Sequence, residues 1–256
     1  MRRVFAIFKR ELKAYFVLPI AYVILGLFVG LTGYYYFTLV SNFFLLSVRT
    51  PPGPDVGQIL NVSERVLRPL FSNVSFILLL LLPVLTMRLF AEEKKSGTAE
   101  LLFTYPLRDG EVLLGKFLAA VAIFILMLGF LLLGVFYLAY LTSMEKGPIF
   151  TGFLGLFLQG IAFLAVGTLA SSLTENQIVA AVTALGVLLL FWIIGWTAYL
   201  FAPPFDRIIQ HLSVIEQFTP FAGGIIESKA VIFYLNLTFF FLFLTLQSLS
   251  SKRWRG

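Results

Sequence analysis

Phe117-Leu-Ala-Ala-Val-Ala-Ile-Phe-Ile-Leu-Met-Leu-Gly-Phe-Leu-Leu-Leu-Gly-Val-Phe-Tyr-Leu-Ala-Tyr-Leu141 contains no charged residue. A helix needs roughly 20 mostly apolar residues to cross the hydrocarbon of a bilayer. The run is too long and too continuous for a β-barrel strand, which would alternate over about 10 residues. It reads as part of a membrane helix, and the rest of the chain repeats the pattern. Six stretches qualify, at approximately 17–40, 70–90, 112–141, 151–173, 178–201 and 230–250. The expected fold is an all-α integral membrane protein, with six transmembrane helices in a single domain spanning residues 1–256.

Composition agrees. Of 256 residues, 59% are apolar and 12% charged, with a mean hydropathy of +0.95. A soluble domain carries about a quarter charged residues, so lipid must cover much of this surface. The absence of cysteine excludes disulfides, thiolate metal sites and cysteine nucleophiles, and the single histidine, His211, excludes a histidine-rich metal site within one chain. The net charge of +6 marks the cytoplasmic ends of spans rather than nucleic-acid binding.

Lysine and arginine positions set the expected orientation. With both termini inside, the cytoplasmic side holds Arg2, Arg3, Lys9, Arg10 and Lys13, then Arg88, Lys94, Lys95, Arg108 and Lys116, then Lys252, Arg253 and Arg255. The other side keeps Arg49, Arg65, Arg68, Lys146, Arg207 and Lys229. The bias favours an N-in, C-in arrangement. The run from Val17 to Val40 exceeds the 7–15 apolar residues of a signal peptide and ends in Tyr34, Tyr35, Tyr36 and Phe37, which suit a membrane interface. It is expected to be a permanent span.

Before it, Val4, Phe5, Phe8, Leu12, Tyr15 and Phe16 recur at helical spacing, with Arg2, Lys9, Arg10 and Lys13 on the other face. That spacing favours an amphipathic helix over residues 2–16, lying in the headgroup layer, over a merely charged flank. Pro51, Pro52 and Pro54 preclude a continuous helix through 41–69. In 202–229, the apolar stretch Ile208–Phe218 is too short to cross, and short interfacial or re-entrant helices are expected there.

The connection at 91–110 departs from ordinary loop composition. Glu92, Glu93, Lys94 and Lys95 close a span, Gly97 offers a helix stop and Thr98 an N-cap, and Glu100 would sit early in a new helix that Pro106 ends. Leu101, Leu102 and Tyr105 would give that helix an apolar face fit for a partner's groove. The alternative is a solvated loop with incidental leucines, and composition alone does not choose between them.

Glu93-Lys-Lys-Ser-Gly-Thr-Ala-Glu-Leu-Leu102, the proline at Pro106, and Gly115-Lys116 opening the next span resemble the ABC-2 type permeases of ATP-driven transporters. The N-terminal Phe8-Lys-Arg-Glu-Leu-Lys-Ala-Tyr-Phe16 and Pro19-Ile-Ala-Tyr22 are similar to the same family. The tail, from Phe218-Thr-Pro-Phe221 through Tyr234 to Ser248–Trp254, resembles its gliding-motility-type (GldF-like) branch. The resemblance implies that 91–110 is the coupling segment contacting a nucleotide-binding subunit, through Glu92, Glu93, Lys94, Gly97, Thr98, Glu100, Leu101, Leu102 and Pro106. It implies that residues 2–16, with Phe8, Arg10, Glu11, Leu12 and Tyr15, form the elbow helix before the first span. It further implies an exporter in the inner (plasma) membrane, ABC ATPase partners holding the ATP and magnesium, and a second permease subunit, identical or similar.

Gly110-Glu-Val-Leu-Leu-Gly-Lys116 matches the opening of a P-loop, but Phe117 replaces the magnesium-binding hydroxyl and no strand precedes it. The chain is therefore expected to hold no cofactor, no nucleotide and no catalytic residues of its own. Within the spans only neutral polar groups are found at depth: Gln159, Thr168, Thr183, Asn236 and Thr238. Helix-to-helix hydrogen bonding explains them more simply than a transport pathway, and Gly26, Gly30, Gly33, Gly152, Gly155 and Gly160 suit close helix contact. Pro83 is expected to kink the second span. An integral-membrane enzyme acting on lipid near His211 and Glu216 is the alternative, lacking converging catalytic groups. An ion-coupled carrier is a third, disfavoured by the lack of buried charge at depth.

Overall fold

A computed structural model describes residues 2–50, 61–97, 108–142, 145–197 and 210–253. Every regular element among them is helical. They run α1 (Arg2–Val17), α2 (Pro19–Arg49), α3 (Arg68–Thr86, entered through a wide turn at Ser63–Leu67), α4 (Arg88–Lys95), α5 (Asp109–Leu141), α6 (Lys146–Leu173), α7 (Gln177–Thr197), α8 (Val214–Ala222) and α9 (Ser228–Arg253). Six helical stretches are long and apolar enough to cross a membrane, the second being α3 and α4 together. The six-span fold is as the sequence predicts.

Boundaries differ more than number. The first span continues to Arg49 rather than ending near 40, and the second starts at Ser63 rather than near 70. Hydropathy falls at Ser41 and Asn42, yet nothing there breaks a helix, so α2 runs on for 31 residues, about 46 Å. That exceeds the roughly 30 Å of hydrocarbon, so α2 projects beyond it or tilts within it.

α6 is the central helix, with α3, α4, α5, α7, α8 and α9 all packed on it. Its glycines make this possible. A Cβ at Gly152 would overlap the Phe71 ring, one at Gly160 the Phe124 ring, and one at Gly167 the Thr86 hydroxyl. At Gly155 it would lie 2.6 Å from Phe221 Cβ. Small residues thus bring α3, α5 and α8 onto one axis. Gly26, Gly30 and Gly33 behave otherwise: nothing lies within 4 Å of a Cβ built at any of them, so the close contact expected there is not made within this chain.

The difference is testable. Gly160→Ala must displace a ring that is fully buried, and should cost about 1–3 kcal/mol. Gly134→Ala, with open space around it, should be neutral or slightly stabilising through helix propensity. Thermal unfolding in detergent reads both, and equal effects would refute the packing argument.

The polar groups at depth divide. Ser75 Oγ donates to Gln159 Oε1 at 2.8 Å, joining α3 to α6 as expected. Thr168 and Thr238 instead donate to Leu164 O and Tyr234 O on their own helices. Thr183 and Asn236 lie on exposed faces of α7 and α9, so helix-to-helix bonding within the chain does not account for them.

Candidate functional site: the charged clamp at one end of the bundle

Pro83 lies inside α3, and the regular helical bonding is interrupted at Met87, which keeps helical backbone angles and bonds Pro83 O through its N–H at 3.0 Å. The interruption is supported from α6. Ser171 Oγ donates to Met87 O at 2.8 Å and accepts from Phe90 N and Ala91 N at 3.0 and 3.1 Å. Lys94 Nζ also donates to Ser172 O. The interruption is thus held by α6, and α4 continues from it as a short stem. That stem ends at Gly97, whose φ of +70° closes the helix as its sequence position suggests.

α1 lies against this stem and the start of α5. Gly115 permits the approach, since a Cβ there would stand 2.7 Å from Ile7 Cβ and 3.1 Å from Val4 O. Ile7 and Tyr15 are buried, while Phe5 and Phe16 stay exposed. Tyr15 donates to Leu85 O at 2.9 Å, and the Arg88 guanidinium sits 5.5 Å from its ring centre. Burial pushes the Tyr15 hydroxyl far above its ordinary range, so it remains a donor.

Four charges close the contact. Lys116 Nζ, in a side chain only 1% exposed, lies 3.2 Å from Glu11 Oε1, 2.9 Å from Glu93 Oε1 and 2.7 Å from Leu89 O. Arg10 reaches the same two carboxylates, each at 2.7 Å. Two cations face two anions, so the cluster is neutral while joining α1, α4 and α5. Desolvation alone would raise the Glu11 carboxyl, but Lys116 and Arg10 outweigh it and hold the group below its ordinary value. Burial likewise opposes the charge on Arg10, and Glu11 and Glu93 overcome it.

Of the expected coupling residues, Glu92, Glu93, Lys94 and Gly97 stand on the stem or at its end, and Glu92 pairs with Arg88 at 3.0 Å. Thr98, Glu100, Leu101, Leu102 and Pro106 lie outside the described residues. Among the expected elbow residues, Arg10, Glu11 and Tyr15 make the contacts above, and Phe8 and Leu12 pack half-buried against the core. Sequence reasoning missed Lys116, which it took for a span-end charge. A lysine followed only by apolar residues must find a carboxylate if it is buried, and that was the available signal. The P-loop resemblance dissolves, because Gly110–Lys116 is helical and Lys116 is committed to the clamp.

At the same end, Ser250 of α9 approaches Asp109 of α5 at 3.3 Å, so the last helix reaches the end of the bundle on which α1 packs. The opposite end is built by α8. Its first turn is capped by Ser213 Oγ, Tyr234 donates to Val214 O at 2.9 Å, and Thr151 donates to Phe221 O at 2.9 Å. The expected short helix is therefore packed into the bundle, with Val214, Gln217, Phe218 and Phe221 buried.

No curated protein matches the chain. A family model described as ABC-2 family transporter protein matches residues 13–253, from the last turns of α1 to the end of α9. Six spans and this match lead to one conclusion: the chain belongs to the ABC-2 transporter family, as a membrane-spanning permease component.

Proposed function

We propose that the chain is the export permease of an ATP-driven transporter, worked by a separate ATPase that docks on the segment leading out of Gly97. The observation that carries this reading is the clamp. A loop with no mechanical task needs no stem fixed to two other helices by four charges, whereas a segment that transmits a partner's movement does. Glu93 and Lys116 tie that stem to α5 and, through Glu11, to α1. Thr98, Glu100, Leu101, Leu102 and Pro106 supply the docking face, and ATP and magnesium belong to the partner.

Two such subunits form the pathway, identical or paired with a similar chain. The exposed faces of α7 and α9 that carry Thr183 and Asn236 at membrane depth favour this, since an amide facing lipid is costly. The lysine and arginine distribution favours a cytoplasmic clamp end with the chain N-in and C-in, and the family resemblance favours the inner membrane. The tail motifs favour the gliding-motility-type branch.

A detergent pull-down of the tagged chain tests the reading. The intact chain should bring down an ABC ATPase. A variant with residues 98–106 replaced by a Gly/Ser linker, leaving Glu93 and Lys94 in place, should not. Equal ATPase in both samples would remove the docking role from this segment, and none in either would end the permease proposal.

A further inference from the structure

At the end of the bundle opposite the clamp, a cleft of about 130 Å³ opens where α8 begins and α9 begins, bordered by Gln210, His211, Glu216, Gln217 and Lys229. A water occupies roughly 30 Å³ of liquid, so the cleft has room for about four water-sized groups. Two acceptor groups on its walls, Gln217 Oε1 and the Glu216 carboxylate, are left without a partner among the described residues. Gln217 is 5% exposed and its Oε1 is buried with no hydrogen-bond partner among the described residues. Its Nε2 donates to His211 O at 3.3 Å, which fixes which end of the amide is the oxygen. Lys229 is paired with Glu227 at 2.7 Å, so its charge is already balanced and Glu216 leaves the cleft net negative. The Glu216 side chain makes no hydrogen bond or ion pair among the described residues, where only its backbone N–H is engaged, by Ser213.

A buried carbonyl oxygen without a donor is costly, by about 1–3 kcal/mol, and an unpaired carboxylate beside it raises the demand for a cation. An anion would meet Glu216 first. A quaternary amine would satisfy the charge but not the orphan acceptor, because it has no N–H. Lys229 lies in the first turn of the last span, so the cleft stands at the depth of lipid headgroups.

We propose that this cleft binds a primary ammonium group, with Glu216 pairing its charge and Gln217 Oε1 accepting one of its N–H bonds. An aminoethyl group fits the volume, whether presented by an aminolipid or by a soluble amine. The site is independent of the ATPase-coupling reading, since it lies at the far end of the bundle and uses none of the clamp residues.

The test compares lipid retention by the full-length chain, purified from nanodiscs of phosphatidylethanolamine, its N-methyl and N,N-dimethyl forms, or phosphatidylcholine. Retention should fall as N–H groups are removed, by about tenfold from the primary to the quaternary headgroup. Glu216→Gln, at a half-buried position that tolerates the change, should abolish the preference and leave thermal unfolding unchanged. Free ethanolamine is then added to the loaded protein. Displacement means that the ammonium suffices and a soluble amine can serve, and no displacement means that the lipid is the source. Equal retention of all four lipids, or an unchanged preference in Glu216→Gln, overturns the proposal.

Discussion

Lys116→Met lowers the stability of the purified protein by about 3–5 kcal/mol, the cost of leaving buried carboxylates without their cation. Glu11 and Glu93 then face each other without the buried ammonium, and Arg10, a more exposed cation, still reaches both. α1 should come away from α5, and trypsin should cut at Lys13, which the docked helix protects by its rigidity. The quadruple variant Lys116→Met, Arg10→Gln, Glu11→Gln, Glu93→Gln removes the four charges together and should recover most of the loss, because a whole buried ionic group contributes little net stability. Thermal unfolding and limited proteolysis read both variants. A single variant as stable as the parent would show the cluster to be incidental.

The same cluster sets a pH dependence. The folded protein holds the Glu11 carboxyl below its ordinary value of 4.5, so its contribution is complete at neutral pH. That contribution is lost as the medium is acidified through the carboxylate range, when the folded group finally takes up a proton. Glu11→Gln should flatten this part of the acid-unfolding curve.

Gly97→Val should abolish ATP-driven transport while leaving the bundle folded. The residue has φ +70°, and nothing among the described residues lies within 4 Å of a Cβ built there, so the substitution acts there through the backbone. A β-branched residue is a strong outlier in that region, and the chain would leave the stem in another direction. The docking segment would then face away from its partner. Gly97→Ala, whose left-handed cost is about 1–2 kcal/mol, should retain partial activity. Transport at the parent rate by Gly97→Val would refute the exit geometry. Charge reversal at Glu93 is a poorer test of docking, because it also places a third cation beside Lys116 and Arg10 and so threatens the fold.

The spans were legible because length and apolarity are local properties, summed over 20 or more residues. Their ends were not. A helix such as α2 stops where its backbone is stopped, at Thr50 before the prolines, and not where hydropathy drops. Gly152, Gly155 and Gly160 read correctly as contact positions, whereas Gly26, Gly30 and Gly33 share the composition without the partner. The clamp was legible only in pieces. Arg10 and Glu11 could be placed on the elbow and Glu93 on the stem, but Glu11 and Lys116 are 105 residues apart, and no local pattern pairs them. Ile7, the residue that touches Gly115, also escaped the apolar spacing drawn through Phe8 and Leu12.

Under the proposed coupling, the interruption at Met87 would let the stem act as a lever. From Met87 to Gly97 the helix is about 15 Å long, so a tilt of about 10° at Met87 carries its tip through about 2–3 Å. The fulcrum is the Ser171 hydroxyl, which can keep accepting and donating as the angle changes, and the load is α1, tied partway along the arm at Glu93. A push at the tip is therefore delivered at once to a helix that begins the chain and leads directly into the first span, so that two membrane helices would answer one stroke.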